Sequence, residues 1–478
     1  MKFLWALGSA VAAGLGAVAA EEQLLRDFVP SAVFENVEYS QTYDLTGTYV
    51  KKSVSLKAKN IGPEPQKEYY YAIEADVDPH VAVLEARVSG TDTPLPLVLE
   101  GGDSEHDALL YKLELPEPLA SNEEVSLEFA QAITGMLSPL PESGTQDDSQ
   151  FLFYQGSRYA FSPYPIKKLT SNFRPIGTQA QEIDADEKDK PEVTENLVKY
   201  GPYKDLEPYS SKVVKIRFEN PKPMAKASKL IRDVWVSHWA QSVSFEETYW
   251  IHNFGTKLKD SFSRLKYQMG QSQFNLNIAA LKELNFPLKP KARDAYYTDL
   301  VGNVSTSNFR SNSRSTVFTV RPRYPVFGGW NYNFTVGWSL DLDNYVRDVG
   351  EDQYLLKVPF VEGPADIYYD EIDFRVILPE GATDIQVLSL MGTETDRGVI
   401  HWFLDTIGRP TVNLKYENVI DGHRRGEVFV KYKYTNSDVL RKPLTIAATF
   451  MAFFAVLIVL SNIDISIIRR NGNKKQNN

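Results

Sequence analysis

One apolar run near the end of the 478-residue chain constrains its fold more than any other feature. Residues Leu444–Leu460 contain no charged side chain, and as an α-helix they would span about 26 Å at roughly 1.5 Å per residue. This length suits a thin bilayer of about 27 Å, such as that of the endoplasmic reticulum. Extension to Ile463 would lengthen the span slightly. A buried core helix is the alternative, but the length and the charged flanks favour a membrane span.

The start of the chain predicts the orientation of this span. Lys2 precedes a run rich in Ala, Gly and Leu, and small residues end at Ala20 just before Glu21. This pattern is typical of a cleaved signal peptide over residues 1–20. Basic residues flank the apolar run on both sides, so local charge alone does not fix its orientation. We therefore expect a single-pass type I protein, with residues 21–440 in the lumen, a transmembrane helix and its flanks at 441–468, and a short cytosolic tail at 469–478.

Composition excludes several kinds of chemistry. The chain has no cysteine, so disulfides, thiolate metal sites and cysteine nucleophiles are ruled out. Its net charge of −10 argues against a nucleic-acid partner. Two sequons, which begin at Asn303 and Asn333, are candidate N-glycosylation sites and fit a luminal location.

Period-two alternation of apolar and polar residues dominates the luminal part and predicts antiparallel strands. The clearest runs are Val54–Ala58, Val125–Phe129, Val214–Phe218, Ile372–Leu378 and Val428–Tyr434. The fold class expected is mainly β, with two tandem luminal β-sandwich-like domains followed by one C-terminal transmembrane helix.

A boundary near Asn220–Pro223 would divide the luminal part into residues 21–220 and 221–440. Each part contains an Asn-x-Gly between two strands, at Asn60 and at Asn253. Duplication of one domain would explain this, but turn chemistry alone also favours Asn-x-Gly, so both explanations stay open. Two polar stretches punctuate the first part, Pro139–Gln150 and the acidic Gln181–Glu195, and we expect the second to be a mobile loop.

No catalytic, cofactor-binding or metal-binding residues are predicted. None of the six histidines lies in a His-Glu-x-x-His motif, and neither a Gly-x-Ser-x-Gly elbow nor a glycine-rich phosphate loop is present. Three Asp-x-Asp triplets could in principle hold a metal that bridges a diphosphate. They start at Asp76, Asp184 and Asp341. Chance accounts for them in a chain with 62 acidic residues.

An aromatic block at Arg321–Trp338 is a candidate interaction surface for sugars or peptides. Its candidate residues are Tyr324, Phe327, Trp330, Tyr332 and Trp338. The alternative, which the composition favours, is that these rings fill a sheet core and that Gly328 and Gly329 make a turn or bulge.

This block and several others resemble the ribophorin I family, the first (alpha-type) subunit of the endoplasmic-reticulum oligosaccharyltransferase complex. The other matching segments are Phe34–Tyr39, Arg232–Trp239, Phe262–Arg264, Tyr296–Ser307, Ile377–Ala382, Leu404–Pro410 and Asp464–Ile467. They cover the luminal region and the membrane segment. Animal members continue into a long cytosolic domain, so a chain that stops at Asn478 is similar to the shorter, fungal-type form, and direct ribosome docking is in doubt.

The resemblance implies a non-catalytic subunit of the complex that transfers an oligosaccharide from dolichyl diphosphate to Asn in Asn-x-Ser/Thr. It implies that a multispanning catalytic subunit holds the divalent metal, and that this chain has no cofactor. The partners implied are the other subunits, nascent polypeptides and the endoplasmic-reticulum membrane. Two rival hypotheses are an independent luminal chaperone or cargo receptor and a metal-dependent glycosyltransferase that acts alone.

Overall fold

The computed structural model describes residues 27–176, 180–183, 189–194, 196–272, 279–389 and 395–463. The predicted signal peptide, the predicted cytosolic tail and the second Asp-x-Asp triplet lie outside these residues.

The N-terminal half of the described chain forms three sheets. Its strands are β1 (Phe34–Asp44), β2 (Val50–Asn60), β3 (Gln66–Glu74), β4 (Val81–Val88), β5 (Pro94–Leu95), β6 (Leu97–Asp103), β7 (Ala108–Leu119), β8 (Glu124–Ile133), β9 (Leu137–Pro139), β10 (Ser143–Gly144), β11 (Phe151–Ser157), β12 (Ile166–Arg174), β13 (Gln181–Glu182), β14 (Glu192–Thr194), β15 (Leu197–Leu206) and β16 (Val213–Glu219). Eight of them form a large sheet in the order β14-β15-β12-β1-β2-β8-β4-β5. A three-stranded sheet (β3-β7-β6) and a four-stranded sheet (β13-β16-β11-β9) accompany it.

The C-terminal half follows the segment Asn220–Pro223, which lies between β16 and β17. Its elements are β17 (Ala225–Ser237), β18 (Ser242–Asn253), β19 (Lys257–Leu258), α1 (Arg264–Ser272), β20 (Leu284–Leu288), β21 (Arg293–Asp299), β22 (Gly302–Asn303), β23 (Asn308–Ser311), β24 (Thr316–Val320), β25 (Asn331–Asp341), β26 (Val346–Gly350), β27 (Gln353–Pro359), β28 (Tyr368–Ile377), β29 (Thr383–Leu388), β30 (Thr395–Ile400), β31 (Arg409–Ile420), β32 (Glu427–Lys433) and α2 (Asn436–Asn462). Short 3₁₀ turns occur at Asp78–His80, Leu342–Asn344 and Asp421–Arg425.

The two halves repeat one topology. The large C-terminal sheet runs β30-β31-β28-β17-β18-β25-β21-β22, with smaller sheets β20-β24-β23 and β29-β32-β27-β26. Once β10 and β19 are set aside, every strand of one half has a counterpart at the same place in the other. In both large sheets the first strand pairs in parallel with a later one, β1 with β12 and β17 with β28. The Asn-x-Gly similarity between the halves therefore accompanies a full structural repeat.

Both small sheets of each half cover the same face of the large sheet. In the N-terminal half, Tyr69 and Leu113 of the three-stranded sheet pack on Leu56 and Phe129. Further along this face, the four-stranded sheet contributes its own apolar side chains, which pack on Tyr43 and Phe173. In the C-terminal half all three sheets share one apolar core. The predicted mainly β fold with a C-terminal helix is confirmed.

The other face of the large C-terminal sheet is polar. Cross-strand hydroxyl pairs join Thr248 to Thr335 at 3.0 Å and Ser244 to Ser339 at 2.9 Å. A sheet with one apolar face and one polar face produces the period-two alternation seen in the sequence.

Helix α2 is, within the described residues, the one helix long and apolar enough to cross a membrane. It has 27 residues, or about 40 Å of helix at roughly 1.5 Å per residue. It begins directly after β32, eight residues before the apolar run at Leu444, so its first turns belong to the folded domain. The N–H and Oγ1 of Thr435 both donate to Asp438 Oδ2 at this end.

Candidate interaction site

The structure divides the aromatic block between core and surface. Phe327, Tyr332 and Trp338 are buried, whereas Trp330 is half-buried and Tyr324 is 41% exposed. Trp338 stacks on Phe245 with ring centroids 5.6 Å apart. An interaction surface in this block is therefore restricted to Tyr324 and Trp330, because alternate residues of strand β25 point into the core.

Phe327 and Trp330 belong to an aromatic cluster at the edge of the C-terminal half. Their ring centroids lie 5.5 Å apart, and Phe262 lies 5.5 Å from Phe327. Tyr324 packs against Trp330 at 5.8 Å and against Tyr332 at 5.5 Å. Tyr324 is thus the exposed member of this cluster, and the other rings pack against one another.

Gly328 and Gly329 allow the backbone beside this cluster to approach the short strand β19, which joins the two halves. A Cβ on Gly328 would clash with the backbone carbonyl of Thr256, and Gly329 has a φ of +80°. Lys257 of β19 pairs with Gly328 on one side and with Ser143 of β10 on the other. The two glycines therefore serve a close backbone approach.

The polar stretch Pro139–Gln150 forms the other side of this joint. The side-chain amide nitrogen of Gln146 donates to the backbone carbonyl of Ser263 at 3.2 Å. In return, the backbone N–H of Ser263 donates to the side-chain amide oxygen of Gln146 at 3.1 Å. Gln150 accepts from Thr256 N at 3.0 Å and donates to the carbonyl of Lys222 at 2.9 Å. This stretch begins at the last residue of β9, contains β10 and fastens the N-terminal half to the C-terminal half.

A second contact joins the halves through Tyr49. Its hydroxyl donates to Asp421 Oδ1 at 2.7 Å, and its ring packs in a small apolar cluster with Tyr368 and Ile420. The N–H of Thr48 donates to Asp366 Oδ1 at 3.1 Å. Two separate sets of contacts restrict rotation between the halves far more than one linker would.

Asp299 organises the turn that carries the first sequon. Its carboxylate accepts from Arg323 Nε at 2.5 Å, from Tyr332 at 3.1 Å and from the N–H groups of Val301 and Gly302. Burial alone would raise the pKa of Asp299, but these donors hold it below its ordinary value. Beyond Asp299 the turn exposes Leu300 and Val301 almost fully.

The two sequon asparagines lie away from the packed interior. Asn303 is exposed on β22, the outermost strand of the large sheet. Asn333 is half-buried on β25, opposite Trp250, with its side chain on the open polar face. Glycosylation of either residue stays a prediction.

The acidic stretch Gln181–Glu195 is better held than its charge suggests, as far as it is described. Asp189 accepts hydrogen bonds from Arg158, Lys212 and Tyr203 at 3.1, 2.7 and 2.9 Å. Glu182 pairs with the same Arg158 at 2.8 Å. In these parts buried Arg158 neutralises like charges that would otherwise repel, and the mobility of the stretch as a whole stays a prediction.

The charged groups do not form a metal site in the part of the chain that is described, where no group of three or more His, Asp or Glu side chains converges. In the first Asp-x-Asp triplet, Asp78 accepts a hydrogen bond from Tyr111 at 2.6 Å. In the third, Asp341 pairs with Arg293 at 2.7 Å. These carboxylates serve surface contacts.

Sequence reasoning missed a buried charge cluster around Arg232. This guanidinium is fully buried and pairs with Glu247 and, at 2.9 Å, with Glu362. Burial raises the pKa of Glu362, and Arg232 opposes that rise. The cluster lies in the middle of the apolar core, so its role is to hold strands β17 and β18 against the loop after β27.

The fold defines a class of protein in which a mainly β, two-part body is followed by one candidate membrane helix. The family model described as Ribophorin I matches residues 34–461, and the chain belongs to this family. Among its relatives, dolichyl-diphosphooligosaccharide–protein glycosyltransferase subunit 1B of Arabidopsis thaliana is 30% identical over 91% of this chain and 94% of its own length. Subunit 1A of the same plant is 31% identical over 89% of this chain and 69% of its own length. Subunit 1 of Caenorhabditis elegans is 30% identical over 98% of this chain and 76% of its own length.

These relatives are named as subunits of a glycosyltransferase, which is consistent with a role in the N-glycosylation complex. The match to one solved structure is far more distant. A yeast LTA4 hydrolase is 10% identical, covers 42% of this chain and 31% of its own, and has a TM-score of 0.29. That likeness carries no argument about this chain.

Proposed function

We propose that this chain is a non-catalytic subunit of the oligosaccharyltransferase complex of the endoplasmic reticulum. That complex transfers a preassembled oligosaccharide from dolichyl diphosphate to Asn in Asn-x-Ser/Thr sequons. The observation that carries the proposal is family membership over nearly all of the described chain. In this proposal the β-rich halves are luminal, helix α2 crosses the membrane, and a multispanning subunit supplies the catalytic residues and their divalent metal.

The geometry supports a scaffolding role within the complex. Strand β28 contacts the N-terminal half at Tyr368, and the chain beyond its other end, at Gly381, packs on Asp438 of helix α2. The strand has 10 residues, or about 33 Å at roughly 3.3 Å per residue. A rigid body of this length holds the N-terminal half at a fixed height above the membrane, where other subunits can bind it.

Polypeptide substrates would contact an exposed apolar surface, the apolar rim, which consists of Leu300, Val301 and Tyr324. Leu300, Val301 and Tyr324 lie beside the Asp299–Arg323 pair at one edge of the large sheet. Exposed apolar side chains on a rigid support are typical of sites that bind unfolded segments. We propose that acceptor polypeptides touch this rim while the catalytic subunit modifies them.

Substitution of the carboxylates most able to hold a metal tests the non-catalytic assignment. Asp→Asn changes at Asp76, Asp78, Asp341 and Asp343 would be combined in a tagged chain, and the complex purified through that tag. Transfer from a dolichol-linked donor to an Asn-x-Thr peptide should stay within about twofold of the unmodified complex, less than 1 kcal/mol in barrier. Loss of transfer from an intact complex would contradict the proposal.

Site-specific photocrosslinking tests the contact with polypeptides. A photoreactive residue at Tyr324 should crosslink to a sequon-bearing acceptor peptide. The matched control is Val213, which is 55% exposed and lies in the other half of the chain. Equal labelling at both positions, or none at Tyr324, would remove the rim from the proposal and leave the scaffolding role standing.

A further inference from the structure

The loop between β30 and β31 exposes large apolar side chains. Trp402, Phe403 and Ile407 are 62%, 79% and 53% exposed. Isolated exposed apolar residues are ordinary, but three within six positions of one loop call for a partner.

This loop is held firmly in spite of its exposure. Glu380 accepts hydrogen bonds from the N–H and Oγ1 of Thr406 at 2.5 and 2.7 Å, and from Ile407 N at 2.8 Å. Asp405 has a fully buried carboxylate that accepts from Trp402 N at 2.8 Å. The apolar side chains therefore project from a rigid base.

The same loop is attached to the first turns of the membrane helix. Lys442 Nζ donates to the carbonyl of Phe403 at 2.5 Å and to Asp405 Oδ1 at 2.6 Å. Lys442 precedes the apolar run at Leu444 by two residues, a rise of about 3 Å along a helix. The loop thus lies at the depth where the helix enters the lipid.

The charges of the loop are neutralised by their neighbours. Asp405 is the one acidic residue between His401 and Gly408. It pairs with Lys442 at 2.6 Å and with Arg409 at 3.3 Å. Arg409 also lies over the ring of Trp235, which packs against Trp402 at 5.5 Å. No unpaired carboxylate in this loop opposes contact with a bilayer.

We propose that the loop His401–Gly408 inserts its apolar side chains into the luminal interface of the bilayer, beside helix α2. Tryptophan and phenylalanine are favoured at the boundary between headgroups and acyl chains, and lysine near a helix end extends its amine toward the headgroups. The loop and the helix then form two points of membrane contact that fix the tilt of the ectodomain. This inference requires only that α2 spans a membrane; it does not depend on the enzymatic complex.

Spin labelling tests the insertion directly, and the absence of native cysteine makes single labels clean. The full chain would carry a nitroxide at Phe403→Cys and be reconstituted in phosphatidylcholine nanodiscs. The matched control is Leu300→Cys, which is at least as exposed but lies at the opposite end of the strands. Collision of the nitroxide with oxygen reports that the label lies in lipid, and collision with a water-soluble nickel chelate reports that it lies in solvent.

We expect an oxygen-to-nickel accessibility ratio several-fold higher at position 403 than at position 300. Equal ratios would overturn the proposal. The same measurement on the assembly purified from microsomes addresses a protein partner, because a label shielded from both reagents there would mean that protein covers the loop, which also overturns it. Ile407→Cys provides a second label position should Phe403→Cys fail to fold.

Discussion

Asn60 and Asn253 make the same hydrogen bonds in the two halves of the chain. Each lies fully buried at the end of its strand, and its amide oxygen accepts from the glycine two residues later, at 2.8 Å from Gly62 and 3.0 Å from Gly255. Each amide nitrogen donates to two carbonyls. One of them is the carbonyl of Leu119 for Asn60 and the carbonyl of Val326 for Asn253, at 2.9 Å in both halves. Together with the repeated strand order, this identity makes the halves structural repeats.

Loss of either asparagine should destabilise the half that contains it. Asn60→Ala and Asn253→Ala leave buried carbonyls and a buried N–H without partners, so we expect each to cost about 1–3 kcal/mol of unfolding free energy. Urea unfolding of the purified chain measures this. Asn→Asp at the same positions keeps the oxygen that accepts from the glycine N–H but places a second oxygen against the two carbonyls, so we expect it to be no more stable than the alanine variant. An alanine variant as stable as the native chain would contradict the assigned role.

Gly328→Ala should disrupt the joint between the halves. The added methyl group would clash with the backbone at Thr256, which cannot move without breaking the β19 pairing. We expect a cost on the order of 3 kcal/mol, and faster proteolysis between residues 139 and 150. Gly102→Ala is the matched control, since its Cβ would have ordinary contacts of 3.6 Å. Equal stability of the two variants would show that the close approach is dispensable.

Stability should fall with acidification because of His238. Burial lowers the pKa of this imidazole to about 4. Between an unfolded pKa of about 6.5 and that value, the unfolded chain binds a proton that the folded chain does not, so the unfolding free energy decreases as pH falls through this window. Urea midpoints at pH 7.5 and pH 5 measure the effect. His238→Gln should reduce the difference. The same pH dependence in this variant as in the native chain would contradict the assignment.

Both sequons should carry glycans when the chain is made in the endoplasmic reticulum. Asn303 lies on an exposed edge strand and Asn333 on the open polar face, so neither site is covered by the smaller sheets. Asn303→Gln and Asn333→Gln should each remove one glycan from the intact mass, and Ser305→Ala should reproduce the first change. A mass that does not change after Asn303→Gln would mean that this edge is covered before the transferase reaches it.

Local pattern predicted much of the fold, because one face of each large sheet is buried. Val54–Ala58 lies in β2 and Ile372–Val376 in β28, and both alternate as the sequence implied. The parallel pairing of β1 with β12 could not be predicted, since the partners lie more than 100 residues apart and alternation does not specify which strands pair. Hydropathy alone predicted the membrane span. The helix begins earlier, at Asn436, because its first turns pack against the β-rich domain.

The candidate site was harder to predict because aromatic residues serve cores and surfaces alike. Alternation places Trp338 inside, whereas Tyr324 precedes β25 and so escapes that pattern. Trp402 and Phe403 carried no periodic signal, and their place beside the membrane helix follows from the bond between Lys442 and their loop. Arg158 and Arg232 pair with acids distant in sequence, which no local pattern indicates.

The most direct test of the account is mass spectrometry of the proteins that co-purify with the tagged chain from microsomes, joined to a transfer assay. The account predicts a multispanning transferase subunit in the preparation, with transfer from a dolichol-linked donor by the assembly and none by the isolated chain. Transfer by the isolated chain, or recovery of the chain alone or with unrelated folding proteins, would contradict it.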